Sequence, residues 1–84
     1  MNHFTVPEFW KQYESLSVAV QKVADNNLEI LNSDSKHSSL HFKTFEKYKS
    51  VRVGIKFRAL GIENGEDVIW FWIGSHADYD SLII

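Results

Sequence analysis

A histidine and a tyrosine three positions apart follow the most apolar stretch of this 84-residue chain. The stretch reads WFWIGSHADYD over residues 70–80, so that His76 and Tyr79 come soon after Gly74. An unperturbed histidine titrates at a pH of about 6.5 and can take up or release a proton near neutrality. If a short helix begins at this point, Tyr79 lies roughly one turn beyond His76. The spacing therefore predicts two titratable side chains grouped at the end of a strand.

The basic residues are concentrated in one segment, although the chain as a whole has a formal net charge of −2. Residues 36–58 carry a net charge of +6, and the rest of the chain carries −8. The cations of this segment are Lys36, Lys43, Lys47, Lys49, Arg52, Lys56 and Arg58. Such segregation favours a basic surface that binds a polyanion. The alternative is a solvated, charged hairpin without a partner.

Arginine, lysine, histidine and tyrosine side chains on one face suit the cleavage of RNA by its own 2′-hydroxyl group. Guanidinium groups stabilise the negative charge of the phosphorane, while other groups remove the 2′ proton and protonate the departing 5′ oxygen. This chemistry requires neither a metal nor another cofactor. The run HADYD also invites interpretation as a metal site, but no second cluster of ligands accompanies it. A structural, hydrogen-bonded histidine is the alternative to a catalytic His76.

The composition is typical of one folded domain covering residues 1–84, with 44% hydrophobic and 14% aromatic residues and a single proline. The lack of cysteine excludes a disulfide framework and a cysteine-based zinc site, and it favours an intracellular address. The longest apolar run, residues 68–73, is too short to span a bilayer, and the N-terminus lacks the pattern of a signal peptide. We therefore expect a cytoplasmic protein without a membrane partner.

Two short helices are predicted in the first part of the chain. The first helix is expected to begin at Thr5–Glu8, with the Thr5 hydroxyl as its cap and Pro7 in its first turn. Residues 15–17 can cap a second helix, in which apolar residues recur at steps of three and four as far as Asn32. The short link between the two predicts a helical hairpin.

The second part of the chain has the apolar period of two that is typical of β-strands. Residues 50–57 alternate most clearly, which places Ile55 on the core face and Arg52 on a wet, basic face. The apolar phase then shifts, so that a tight turn or a bulge is expected near residues 54–56. Asn64-Gly65 predicts the hairpin turn into the last strand.

The last strand, residues 67–74, is apolar on both faces, which is the pattern of an inner strand covered on both sides. Its alternation places Trp70 and Trp72 on one face, together with His76. The helical hairpin can cover only one of the two faces. The other must be covered by the C-terminal tail or by another protein, and we predict Trp70 and Trp72 as partner-binding residues.

Four stretches of this sequence resemble the RelE/ParE toxin superfamily, which comprises small bacterial proteins encoded beside an antitoxin. They are PEFWKQYESL with the helix that follows it, SSLHFK, SVRVGIKFRALGI and WFWIGSHADYDSLI. Together they cover nearly the whole chain in the order that the fold demands. The resemblance implies an α+β fold: an N-terminal helical hairpin packed on a twisted four-stranded, mainly antiparallel sheet, followed by a short C-terminal helix.

The resemblance also implies an activity, because RelE-like members cleave messenger RNA, typically in the ribosomal decoding site. Arg58 matches the arginine of a conserved family strand, and His76 stands where members carry arginine or histidine. Arg52 and Tyr79 complete the catalytic set that the resemblance implies. The residues expected to contact RNA are Lys43, Lys49 and Lys56.

The partners implied by this resemblance are messenger RNA, the ribosome and a cognate antitoxin that neutralises the toxin. Two other functions stay open at this point. ParE-like members share the fold but inhibit DNA gyrase without cleaving RNA. An inactive relative would only pair with an antitoxin or with another protein.

Overall fold

The computed structural model describes residues 2–34 and 37–83. The elements in these residues are β1 (Asn2–Thr5), α1 (Pro7–Glu14), α2 (Val18–Ser33), a 3-10 turn (Ser38–Leu40), β2 (Lys43–Phe45), β3 (Tyr48–Val53), β4 (Phe57–Asn64), β5 (Asp67–Ser75) and α3 (His76–Ile83). The strands form one sheet in the order β1-β5-β4-β3-β2. Within the described ranges, no helix has the length and apolar character needed to cross a membrane.

The core lies between the sheet and the helices α1 and α2. Its buried side chains are Phe9, Ala24, Leu31, Leu40, Val51, Val53, Ala59, Val68, Trp70 and Ile73. A buried amide adds a polar link, because Asn27 Nδ2 donates to the backbone oxygen of Arg52 at 2.7 Å. This bond joins α2 to β3, the strand at the centre of the basic segment.

The sheet has five strands rather than the predicted four, because β1 adds to the edge of β5. The pairing is parallel and runs from Asn2 opposite Asp67 to Thr5 opposite Trp70. The other three pairings are antiparallel, so the sheet is mixed. A strand of four residues is too short to show a period, and its partner lies more than sixty positions away in the sequence. Neither feature leaves a local pattern from which β1 could be predicted.

The predicted start of the first helix is nearly correct, but its predicted cap is wrong. Val6 is the N-cap residue and makes no side-chain capping bond, while Pro7 begins the helix. Thr5 is still part of β1, and its hydroxyl accepts a hydrogen bond from Trp10 Nε1 at 2.9 Å. Pairing with β5 thus keeps Thr5 extended, and its hydroxyl binds the Trp10 indole instead of capping the helix.

The second helix agrees with its prediction at both ends. Ser17 is the N-cap, and its hydroxyl accepts from the backbone nitrogen of Val20 at 3.3 Å. The two helices are joined side by side through Tyr13, whose hydroxyl donates to Asp25 Oδ1 at 2.6 Å. The same bond raises the pKa of Tyr13. The helical hairpin is therefore present in the structure.

The strand predicted over residues 50–57 is in fact divided by a turn. The strand β3 ends at Val53, which pairs with Phe57 at the start of β4. Gly54 adopts a positive φ of 67° between them, a conformation that glycine tolerates best. Ile55 lies in this turn and is 80% exposed, so its predicted place on the core face is wrong. The turn near residues 54–56 is confirmed.

A bulge in β5 reverses the expected arrangement of the two tryptophans. Leu60 pairs with Trp72 and Gly61 pairs with Trp70, which leaves Phe71 as an extra residue without a partner opposite it. Trp70 therefore faces the helices and is only 1% exposed, while the Trp72 ring lies 6.4 Å from the ring of Tyr79 in α3. The prediction that the two share a face is wrong, and burial rules out Trp70 as a surface for a partner.

The Trp70 side chain is held by a hydrogen bond to the edge strand. Its indole Nε1 donates to His3 Nδ1 at 3.1 Å, and the two rings are stacked with their centroids 6.0 Å apart. The bond requires that Nδ1 carry no proton. Burial lowers the pKa of His3, since a charged imidazole loses hydration there. The neutral form of His3 is thus the one that fits the fold.

This bond predicts a loss of stability in mild acid. The unfolded chain binds a proton at His3 at a pH of about 6.5, while the folded chain resists it, so the free energy of unfolding falls as the pH drops below that value. We expect His3→Asn, which keeps an acceptor but does not titrate, to flatten this part of the curve. Urea unfolding between pH 7.5 and pH 5, monitored by tryptophan fluorescence, measures the slope.

The matched control is His41→Asn, because His41 is exposed and makes no bond to the core. We expect this variant to keep the wild-type dependence on pH. Identical slopes for wild type and His3→Asn would contradict the role assigned to the bond between His3 and Trp70.

Candidate active site

A cleft of about 430 Å³ opens between α3 and the β2 side of the sheet. Its lining residues are Lys43, Thr44, Phe45, Arg58, His76, Tyr79 and Asp80. The structure thus brings together three of the four predicted catalytic residues and one of the three predicted RNA-binding lysines. They come from three separate elements, β2, β4 and α3.

Arg58 lies at the base of this cleft and is only 6% exposed. Its Nη1 donates to Ser50 Oγ at 3.4 Å, and its Cζ lies 5.2 Å from the centre of the Tyr79 ring. Its Nε is the one buried side-chain polar atom without a hydrogen-bond partner among the described residues. In the described ranges, no carboxylate forms an ion pair with it. A buried cation without a counter-charge is costly, so Arg58 is suited to receive an anion.

Tyr79 covers the guanidinium group of Arg58. It is buried, and its hydroxyl donates to Ser50 Oγ at 3.2 Å. Ser50 therefore holds both the arginine and the tyrosine. Ser50 was not predicted as a site residue, because a single serine in a strand has no pattern that distinguishes it from a solvent-facing residue. It is buried only because α3 packs over it.

His76 is the first residue of α3 and stands at the mouth of the cleft. Its Nδ1 lies 3.2 Å from Asp80 Oδ2, one helical turn away, and both side chains are about half exposed. Its backbone nitrogen donates to the backbone oxygen of Lys56 at 2.6 Å, which fixes the start of the helix against the β3-β4 turn. Because Asp80 engages Nδ1, Nε2 is left to exchange protons with a substrate.

Asp80 was not predicted as a site residue, although the signal was present. His76 and Asp80 are four positions apart, and this spacing brings side chains together on one helix face. The helix itself has a local cap, since Ser75 Oγ accepts from the backbone nitrogen of Asp78 at 3.1 Å. With a helix assumed to begin at His76, the contact between His76 and Asp80 could have been predicted from this spacing.

Arg52 lies directly opposite Arg58 across the β3-β4 pair, but its side chain does not line the cleft. Its Nε donates to the backbone oxygen of Gly54 at 2.9 Å, and its Nη1 lies 3.3 Å from His41 Nε2. Cross-strand pairing places the two arginines as neighbours. Separate bonding partners then direct their guanidinium groups to different sites.

Two of the predicted RNA-binding lysines also lie outside the cleft lining. Lys49 Nζ donates to Thr44 Oγ1 at 3.2 Å and forms an ion pair with Glu63 at 3.6 Å. Lys56 is exposed in the β3-β4 turn, beside a groove between α2 and that turn. Of the predicted lysines, only Lys43 lines the cleft itself.

Three solved toxin structures share this fold. The RelB-RelE antitoxin-toxin complex from Methanococcus jannaschii matches with a TM-score of 0.73 at 19% identity, covering 96% of this chain and 99% of that chain. The YoeB/ParE toxin from Agrobacterium tumefaciens gives 0.68 at 12% identity, with 90% and 99% covered. The isolated E. coli RelE toxin gives 0.64 at 9% identity, with 96% and 94% covered. No protein-family model matches this chain, and no curated protein matches it either.

The chain therefore has the fold of RelE-like toxins, and the resemblance inferred from four sequence stretches is confirmed at the level of the fold. The α+β class is also confirmed. At these identities the sequences have diverged so far that the likeness concerns the path of the chain. The chemistry depends on the side chains that line the cleft.

The contacts of Tyr79 predict how α3 is attached to the sheet. We expect Tyr79→Phe to lower the free energy of unfolding by about 1 kcal/mol, because it removes the bond to Ser50 but keeps the ring over Arg58. Tyr79→Ala should cost about 3 kcal/mol or more, since it also removes a buried ring. Urea unfolding of the purified variants measures both values.

Tyr48→Phe is the matched control, because the Tyr48 hydroxyl bonds to none of the described residues. We expect it to unfold like the wild type. Equal losses in Tyr48→Phe and Tyr79→Phe would contradict the assignment of the Ser50 bond as the attachment.

Proposed function

We propose that this chain, which has the RelE-like toxin fold, is the toxin of a type II toxin–antitoxin system and cleaves messenger RNA. The observation that carries the proposal is the buried Arg58, which has no acidic partner and lies in one cleft with a histidine, a tyrosine and a lysine. A site of this kind suits a phosphate and the proton transfers of phosphodiester cleavage. The similar solved structures are those of toxins, and this supports the toxin role.

The proposed reaction is attack by the 2′-hydroxyl group of RNA on the adjacent phosphate. The bond from the 2′ oxygen to phosphorus forms as the bond from phosphorus to the 5′ oxygen breaks. The proton of the 2′-hydroxyl passes to a base, and the departing 5′ oxygen receives a proton from an acid. The products are a 2′,3′-cyclic phosphate and a 5′-hydroxyl end.

Arg58 stabilises the charge that gathers on the phosphate oxygens during this step. Its guanidinium charge lies at the base of the cleft and is fixed there by the bond from Nη1 to Ser50 Oγ. Lys43, at the side of the cleft, adds a second positive charge. Arg52, Lys49 and Lys56 lie outside the lining, and we assign them to flanking phosphates of the strand.

His76 exchanges a proton with the substrate through Nε2. Asp80, 3.2 Å from Nδ1, holds the ring in place and leaves Nε2 toward the cleft. Tyr79 lies between Arg58 and His76, with its ring centre 5.2 Å from the Arg58 guanidinium carbon and 6.1 Å from the centre of the His76 ring, and we assign it to positioning the substrate. The catalytic set thus consists of Arg58, His76 and Tyr79, with Asp80 as a positioning residue.

The proposed partners follow from the toxin role. A cognate antitoxin encoded by the neighbouring gene would neutralise the protein, as one of the similar solved structures is an antitoxin-toxin complex. Messenger RNA on the ribosome is the proposed substrate. Trp72, which lies beside α3, is retained as a partner-binding candidate, whereas the buried Trp70 is not.

Induction in a bacterium without the neighbouring gene tests this function. We expect growth arrest and new 5′ ends in messenger RNA, mapped by sequencing. Arg58→Gln should reduce cleavage about 100-fold to 1,000-fold, because it removes the charge that stabilises the phosphorane. His76→Ala should reduce it about 100-fold to 10,000-fold by removing one proton transfer.

Lys22→Ala is the control, since Lys22 is an exposed cation on α2 outside the basic segment. We expect it to cleave like the wild type. Growth arrest without new 5′ ends would overturn the nuclease and direct attention to DNA gyrase or another protein target. No arrest in any variant would indicate an inactive relative that only binds a partner.

A further inference from the structure

A second groove, of about 360 Å³, lies beside the cleft on the face of the sheet that carries α3. We call it the aromatic groove, and its lining residues are Phe45, Tyr48, Leu60, Phe71, Trp72 and Leu82. Four of these six residues are aromatic, and none is charged. The groove is outside the set of residues to which a catalytic role is assigned above.

The aromatic groove is open to solvent although its lining is apolar. Phe45 is 58% exposed at the sheet edge, and Leu82 of α3 is also exposed. The rings of Tyr48 and Phe71 meet edge to face, with centroids 6.4 Å apart. The bulge that leaves Phe71 without a cross-strand partner makes this contact available. Exposed rings in one depression favour a binding site for a flat, apolar group.

The aromatic groove is continuous with the candidate active site. Phe45 lines both, and a hollow of about 10 Å³ shares residues with each of them, namely Lys43, Phe45 and Tyr79 of the cleft and Phe45, Tyr48 and Leu60 of the groove. The Tyr79 ring lies 6.4 Å from the ring of Trp72 and 5.2 Å from the Arg58 guanidinium carbon. Of the two lysines that line this hollow, Lys49 is ion-paired with Glu63, whereas Lys43 forms no ion pair with any described residue. The positive charges of Lys43 and Arg58 therefore lie next to the rings of Phe45 and Tyr79, at the side of the cleft that borders the groove.

We propose that the aromatic groove binds a base of the RNA strand, next to the phosphate held at Arg58. A cationic track with aromatic rings beside it is how proteins bind single-stranded nucleic acid, because every base has a face that can stack. A protein segment could bind the same surface only with an apolar side chain in the groove and an acidic group beside Lys43, and the test below distinguishes this case. The inference rests on the proposed function and extends it by naming the site of the neighbouring base.

The test compares two phenylalanines on opposite edges of the sheet. Phe45 on β2 lines the groove, while Phe4 on β1 is similarly exposed, at 52%, but lies outside it. We expect Phe45→Ala to weaken binding of a 2′-fluoro oligoribonucleotide about 5-fold to 150-fold, the usual effect of losing a stacked base. Phe4→Ala should bind like the wild type, and Phe45→Trp should restore affinity. The 2′-fluoro group removes the attacking hydroxyl, so binding is measured by fluorescence anisotropy without cleavage.

A second measurement separates stacking from attraction of phosphates. An oligonucleotide with abasic sites throughout should bind the wild type and Phe45→Ala equally, because the contact that Phe45 makes is already absent. The dependence of affinity on salt should be unchanged in Phe45→Ala and shallower in Lys43→Ala, which loses a phosphate contact. Circular dichroism of each variant checks that it is folded.

The outcomes distinguish this inference from the function on which it depends. RNA cleavage with equal affinities in Phe45→Ala and Phe4→Ala would overturn the base site and leave the nuclease standing. An absence of RNA binding by the wild type, with new 5′ ends still formed on induction, would overturn the base site alone, whereas an absence of new 5′ ends would overturn both. If Phe45→Ala weakened binding of the neighbouring gene's product but not of RNA, the groove would be a protein interface and the inference wrong.

Discussion

The extra residue in β5 sets the face on which every later side chain of the chain lies. Because Phe71 has no residue opposite it, Trp70 enters the core while Trp72 turns to the other side of the sheet. Gly61 permits this arrangement, since a Cβ there would lie 2.8 Å from a Trp70 ring atom. Without the bulge, the end of β5 would direct α3 differently, and neither the cleft nor the aromatic groove would form as described.

The helix α3 closes the cleft on the side opposite the strands β2 and β4. It carries His76 and Asp80 at the mouth and lays Tyr79 over the arginine of a neighbouring strand. The cost of burying the Arg58 charge is offset in part by the tyrosine ring and by Ser50. A phosphate would supply the counter-charge that the described residues do not provide. The features that make this arginine expensive for folding are therefore those that suit it to bind an anion.

The edge hairpin β2-β3 serves two surfaces at once. Lys43 faces the cleft, Phe45 borders both the cleft and the groove, and Tyr48 lies within the groove. Short edge strands are a common place for binding residues, because their outer side is not occupied by another strand. The basic segment recognised in the sequence therefore contributes side chains to both the cleft and the aromatic groove, rather than forming a uniformly charged face.

Local pattern alone was enough to determine the helical hairpin, the β3-β4 turn and the grouping of His76 with Tyr79, since each depends on residues a few positions apart. The tertiary structure decided the rest. It added β1, buried Trp70, placed Ser50 beneath Tyr79 and drew Arg52 away from Arg58. These outcomes depend on pairings between residues that are far apart in the sequence. They also depend on the bulge in β5, where Phe71 has no residue opposite it and the residues beyond it change faces. Periodicity records which residues are apolar, whereas the partner strand decides which way each one points.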